Sequence, residues 1–250
     1  MPRSFLAAVL AMLIGSILSG SSWAEAPTPG KQVAASSTVK VQADGQVREA
    51  TLRYWIALPA EYGADPAVPW PLVLFLHGAG ERGDDLEVVK KHGPPKLVAA
   101  GQAFPFVLVS PQCPAGSRWD ADELAALVEQ LASTLKIDRR RIYVTGLSMG
   151  GAGTWALLAK YADRFAAAVP ICGRGDVAAV EKMAKVPIRV FVGAKDRAET
   201  VKNCEEMVAA LQKAGAKATL KVYPDLAHDC WTETYNNAEL YEWLLAQKKN

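Results

Sequence analysis

The sequence predicts an α/β fold, with a mostly parallel twisted sheet, helices on both faces and an antiparallel N-terminal edge. Three observations lead there. From residue 72 onward, short continuous apolar runs alternate with helical patterns, as strands buried on both faces do. Before residue 60, β-branched and aromatic residues instead alternate with polar ones (Leu52, Tyr54, Ile56), as in strands at a sheet edge. The chain has 250 residues, half of them apolar and 22% charged, which suits one domain with a sizeable core.

The elements follow in order. Arg3, an apolar run over 5–18 and small polar residues at 19–22 read as a signal peptide over 1–24. Cleavage is expected after Ala24, because a cut after Ala26 would leave Pro27 first. The apolar run is shorter than the ~20 residues of a spanning helix, so no membrane span is expected after processing, and the product is exported. Residues 25–36 read as a flexible leader, and 37–250 as the catalytic domain, with order beginning near Thr38. Strands at 38–42 and 48–58 flank an Asp44-Gly45 hairpin turn. Buried strands are expected at 72–76, 106–109, 142–144, 165–170 and 188–192, with a last one near 219–223. Helices are expected at 121–135, 150–162, 176–183, 201–214 and 237–247.

The formal net charge of +2 gives no argument for nucleic acid or an anionic membrane as partner. Export permits disulfides among Cys113, Cys172, Cys204 and Cys230. The expected strand ends place Cys204, with Cys172 or Cys230, as the pair.

The clearest chemistry lies in Gly146-Leu147-Ser148-Met149-Gly150, between a strand and a helix. A serine on such a turn projects its hydroxyl above the sheet, and the helix N-terminus behind it favours developing negative charge. A hydroxyl needs a base, usually an imidazole oriented by an acid. His92 lies in a polar stretch and reads as a solvated loop residue, and His77 precedes the nucleophile. His228, after the last strand, is in place as the base. Asp196, on the loop after 188–192, is the expected acid, with Asp176 and Asp225 as rivals that suit turns equally well. Oxyanion donors are expected at the N–H of Met149 and, within His77-Gly78-Ala79-Gly80, at Ala79 with Gly80 in reserve. His77 is expected to hold that loop by hydrogen bonds. Glu81, Arg82, Asp84 and Asp85 read as solvated charges, Arg82 having the alternative role of orienting an acyl group or carboxylate. Trp119 and Trp231 are candidate walls of the substrate pocket. Scattered histidines without a close Cys/His pair argue against a metal, and no cofactor is implied.

These residues resemble the α/β-hydrolase superfamily, in particular small exported esterases, phospholipase/carboxylesterase-like proteins and "predicted peptidases". The resemblance spans about 73–245. It is carried by Leu76-His77-Gly78-Ala79-Gly80-Glu81-Arg82-Gly83, Ser110-Pro111-Gln112-Cys113-Pro114, Gly146-Leu147-Ser148-Met149-Gly150-Gly151, Pro170-Ile171-Cys172-Gly173 and His228-Asp229-Cys230-Trp231. It implies an α/β-hydrolase fold and a serine carboxylic ester hydrolase with Ser148, Asp196 and His228 as triad. The expected substrate is a small or accessible ester, cleaved through an acyl-enzyme. A serine peptidase of the prolyl-oligopeptidase type is the alternative the family label suggests. A catalytically dead scaffold that binds its ligand is the third reading.

Overall fold

The computed structural model describes residues 21–23, 27–43 and 45–250. Its elements are β1 (Ser21–Trp23), β2 (Gln32–Ala43), β3 (Gln46–Ala57), β4 (Trp70–Leu76), α1 (Gly93–Ala99), β5 (Val107–Pro111), α2 (Ala121–Thr134), β6 (Ile137–Leu147), α3 (Met149–Tyr161), β7 (Ala167–Ile171), α4 (Val180–Met183), β8 (Ile188–Gly193), α5 (Ala198–Lys213), β9 (Ala218–Tyr223), α6 (Trp231–Asn236) and α7 (Ala238–Ala246). Among the described residues the strands form one sheet in the order β1-β2-β3-β5-β4-β6-β7-β8-β9. β1 to β3 pair antiparallel and β3 joins β5 antiparallel, while every pair from β5 across to β9 is parallel.

The continuous apolar runs divide their side chains between two cores, because successive strand residues point to opposite faces. Leu72, Leu74, Ile142, Val144, Val190 and Val192 pack with α2, α3 and α5 through Leu127, Leu131, Trp155, Leu158, Met207 and Leu211. Val73, Phe75, Tyr143 and Val169 pack on the other face with Tyr235, Tyr241 and Leu244 of α6 and α7. All strands from β4 to β9 therefore deliver their C-terminal ends to one edge of the sheet, where open parallel sheets place their sites.

Three expectations need correction. Residues 32–36, read as leader, belong to β2, which pairs with β3 along its whole length. Val33 and Ala35 are buried there, so pairing with a long neighbour overrode an Ala/Ser composition that is weak in strand propensity. His92, read as a solvated loop residue, occupies the N-cap position of helix α1 and is half-buried. Pro94 and Pro95 occupy the first turn of that helix, where a missing N–H costs nothing. The helix expected over 176–183 shrinks to the single turn α4 after a 3-10 turn. Apart from β1, which pairs with residues 35–37, the expected signal peptide lies outside the described residues, as does Asp44 of the hairpin turn.

Candidate active site

Ser148 stands between β6 and α3 with φ 53° and ψ −112°, a sparsely populated conformation that costs on the order of 1–3 kcal/mol. Backbone contacts maintain it. Ser148 N–H donates to the Ile171 carbonyl at 2.8 Å, and Ala152 N–H donates to the Ser148 carbonyl at 3.0 Å. The flanking glycines are required by space: a methyl group at 150 would overlap the Leu76 carbonyl, and one at 146 the Gly150 carbonyl. The turn thus exists because strand and helix approach closer than any side chain permits.

His228 lies on the loop between β9 and α6. Its Nε2 is 2.8 Å from Ser148 Oγ and its Nδ1 2.8 Å from Asp196 Oδ2. A carboxylate only accepts, so Nδ1 carries the proton and Nε2 is left to accept from the serine hydroxyl. Asp196, its side chain 1% exposed, follows β8, and its Oδ1 accepts the Arg197 N–H at 2.6 Å. The two loops are fitted to each other through backbone. Ala194 N–H donates to the Tyr223 carbonyl and Lys195 N–H to the Leu226 carbonyl, and any side chain at Gly193 would overlap the carbonyls of Leu226 and Ala227. Of the rival acids, Asp176 caps a 3-10 turn through Ala178 N–H, and Asp225 makes an exposed ion pair with Lys195.

The loop after β4 runs close beside Ser148: a Cβ on Gly78 would stand 3.6 Å from Ser148 Cβ. His77, 1% exposed, holds it. Its Nδ1 is 2.7 Å from the Gly78 carbonyl, and its Nε2 accepts the Cys113 N–H at 3.0 Å, the bracing role expected of it. Because Gly78 C=O is tied to His77, the planar trans peptide turns the Ala79 N–H the opposite way. Burial pushes the His77 pKa down to about 4. The unfolded chain binds this proton near 6.5 and the folded protein near 4. The stability due to neutral His77 is therefore complete above pH 6.5 and is lost as pH falls towards 4. Between pH 7 and pH 5 the loss should be about 2 kcal/mol. Urea midpoints of the wild type and His77→Gln test this: the variant should have the flatter pH slope, and equal slopes would refute the assignment.

Two charges expected in solvent are instead built into the loop. Glu81 is 4% exposed, accepts the Gly78 N–H at 3.0 Å and lies 3.7 Å from His92 Nε2. Arg82 donates to the carbonyls of Ala79 and Ser117, both at 3.0 Å, and so bridges two loops. His92 is half-buried against Trp231, and burial lowers its pKa. The Gly78-x-x-Glu81 spacing, a glutamate three residues after a helix cap, was the available signal for Glu81. Ala79 and Gly80 are exposed and Met149 is half-buried at the first position of α3, where an N–H has no intrahelical partner. Trp119 spends its indole N–H on the His77 carbonyl and packs edge-on against the His77 ring, so it braces the loop. Trp231 sets its ring edge-on to His228 at 5.4 Å and also contacts His92, with a buried indole N–H that has no protein partner.

Residues 115–241, half of the chain, match the Dienelactone hydrolase family. The chain is 26% identical over 180 residues to a bifunctional acetylxylan esterase/xylanase of Neocallimastix patriciarum, covering 69% of this chain and 26% of that protein. It is 31% identical over 120 residues to poly(3-hydroxyalkanoate) depolymerase C of Paucimonas lemoignei, covering 41% and 28% respectively. The chain thus spans about a quarter of the length of the curated relatives it matches. Among solved structures it is similar to a thermostable esterase, with TM-score 0.69 and 29% identity over 87% of this chain and 72% of that one. With the strained Ser148 turn between strand and helix on a mostly parallel sheet, these matches show that the chain belongs to the dienelactone hydrolase family of the α/β-hydrolase superfamily.

Proposed function

We propose that the protein hydrolyses carboxylic esters with Ser148 as nucleophile, His228 as base and Asp196 as the acid that orients it. The observation that carries this reading is the unbroken line Ser148 Oγ to His228 Nε2 and His228 Nδ1 to Asp196 Oδ2, each step 2.8 Å. His228 takes the hydroxyl proton as Ser148 attacks the carbonyl, then returns it to the leaving alcohol, and water releases the acyl group by the same path. The Met149 and Ala79 N–H groups stabilise the oxyanion; the locked Gly78–Ala79 peptide supports the second. Trp231, in ring contact with the base, forms a wall of the substrate pocket.

The connection from β7 to β8 is one 3-10 turn and the single turn α4, and His228 is 33% exposed. Such a site suits small esters, or esters displayed on a polymer, as the names of the two curated relatives also suggest. The signal-peptide pattern of residues 1–24 makes export the accompanying proposal. Cleavage after Ala24 would remove β1 and leave β2 as the edge strand.

A panel of p-nitrophenyl acetate, acetylated xylan, hydroxyalkanoate oligomers and peptide p-nitroanilides tests the reading. Esters should exceed anilides in kcat/KM by roughly two powers of ten or more. Preference for anilides would establish the peptidase alternative. Absence of both turnover and fluorophosphonate labelling would establish a binding scaffold.

A further inference from the structure

Among the described residues, two that are not glycine adopt a positive φ: Ser148, and Cys172 at 51°. The strain at Ser148 serves the nucleophile. Glycine would occupy position 172 without strain, so a cysteine at this backbone angle points to a use for its side chain. Cys172 Sγ lies 3.0 Å from the Sγ of Cys230, 58 residues along the chain, closer than two non-bonded sulfurs ordinarily rest. Both cysteines are buried. The expected partner Cys204 is placed differently: its Sγ is 3.8 Å from the Gly173 carbonyl.

The pair adjoins the triad. Cys172 Sγ, a carboxylate oxygen of Asp196 and a ring nitrogen of His228 lie within 4.8 Å of one another. Cys172 directly follows β7, whose Ile171 carbonyl receives the Ser148 N–H. Cys230 stands two residues beyond His228 and caps α6. A bond between them would join the strand that seats the nucleophile to the loop that carries the base.

We propose that Cys172 and Cys230 are a disulfide-forming pair, a covalent modification site that braces the His228 loop. A thiolate of one cysteine attacks an external disulfide, small-molecule or protein, and expels one external thiolate. The second cysteine attacks the mixed disulfide and expels the other. The pair loses two electrons and two protons, and the external disulfide is reduced to two thiols. In the folded protein, hydrogen bonding to Cys230 and burial hold the Cys172 thiol well above its ordinary pKa. The exchange therefore belongs to folding, before the loop closes over the pair. The effect on turnover rests on the hydrolase reading above; the bond itself does not.

Protein purified without reductant and incubated with oxidised glutathione during refolding is denatured, alkylated and mapped by mass spectrometry. Alkylation on Cys113 and Cys204 alone, with a linked Cys172–Cys230 peptide, is the expected result. Four alkylated cysteines, or a bridge that includes Cys113 or Cys204, overturns the proposal. Reducing the bridged protein should lower its Tm by about 5–10 °C. It should also cut kcat on p-nitrophenyl acetate by roughly tenfold, through looser placement of His228. The double variant Cys172→Ala/Cys230→Ala should show the lower values with or without reductant; should it fail to fold, the wild-type map still decides. A mapped bridge whose reduction leaves kcat unchanged overturns the bracing role. A mapped bridge in a protein without ester turnover overturns the hydrolase reading and leaves the modification site standing.

Discussion

Replacing Ser148 by alanine should reduce ester turnover by roughly a millionfold, the loss seen when a serine nucleophile is removed from a working triad. What remains is the contribution of the oxyanion donors and substrate binding, which need no side chain at 148. The fold should survive, because the turn is held by Ser148 N–H to the Ile171 carbonyl and by the glycines at 146 and 150, all of which the variant keeps. A second substitution exposes the strain. Ser148→Gly should be equally inactive yet more stable than Ser148→Ala by about 1 kcal/mol, since glycine adopts φ 53° without the penalty of a Cβ. Initial rates on p-nitrophenyl acetate, fluorophosphonate labelling and urea unfolding of both variants check this. Turnover within tenfold of wild type in Ser148→Ala would remove the nucleophile assignment.

Asp196→Asn should lower kcat by about ten-thousandfold, through the tautomer of His228. The direction follows from the second bond of this carboxyl group. Oδ1 accepts the Arg197 N–H at 2.6 Å, so an asparagine would keep its carbonyl oxygen there and turn its NH2 towards His228 Nδ1. That nitrogen would then accept, the proton would move to Nε2, and the imidazole could no longer take the serine proton. Asp225→Asn, which removes an exposed ion pair with Lys195, should leave kcat within about twofold. Asp176→Asn should do the same, because asparagine caps a turn nearly as well. Steady-state kinetics of the three variants, with circular dichroism as a folding control, separates them. A comparable loss in Asp225→Asn, with Asp196→Asn active, would transfer the role of acid.

The parallel strands and the Ser148, Asp196, His228 order were legible because each rests on short-range pattern. A strand buried on both faces must be apolar throughout, and Gly146-x-Ser148-x-Gly150 reflects a local approach that only glycine permits. The hairpin edge was legible from alternation in β3, while the first half of β2 was not. Its Ala and Ser residues carry little strand preference and are held by pairing with β3 across the turn.

What the tertiary structure alone decided concerns groups whose surroundings come from distant segments. Glu81 sits in a charged run that reads as solvated, and it is buried because its carboxylate receives the Gly78 N–H beside His92. The 2.8 Å contact of Asp196 with His228, whose pairing the chain order predicts, depends on the close approach of two loops at Gly193. Cys172 met Cys230, with Cys204 turned to a carbonyl, because β7 and the loop after β9 converge on the edge that holds Ser148, Asp196 and His228. Periodicity and turn chemistry are properties of neighbours in the chain. Burial of a charge and proximity of two thiols depend on which remote segments the packed sheet brings together, and those are settled only when the helices close over it.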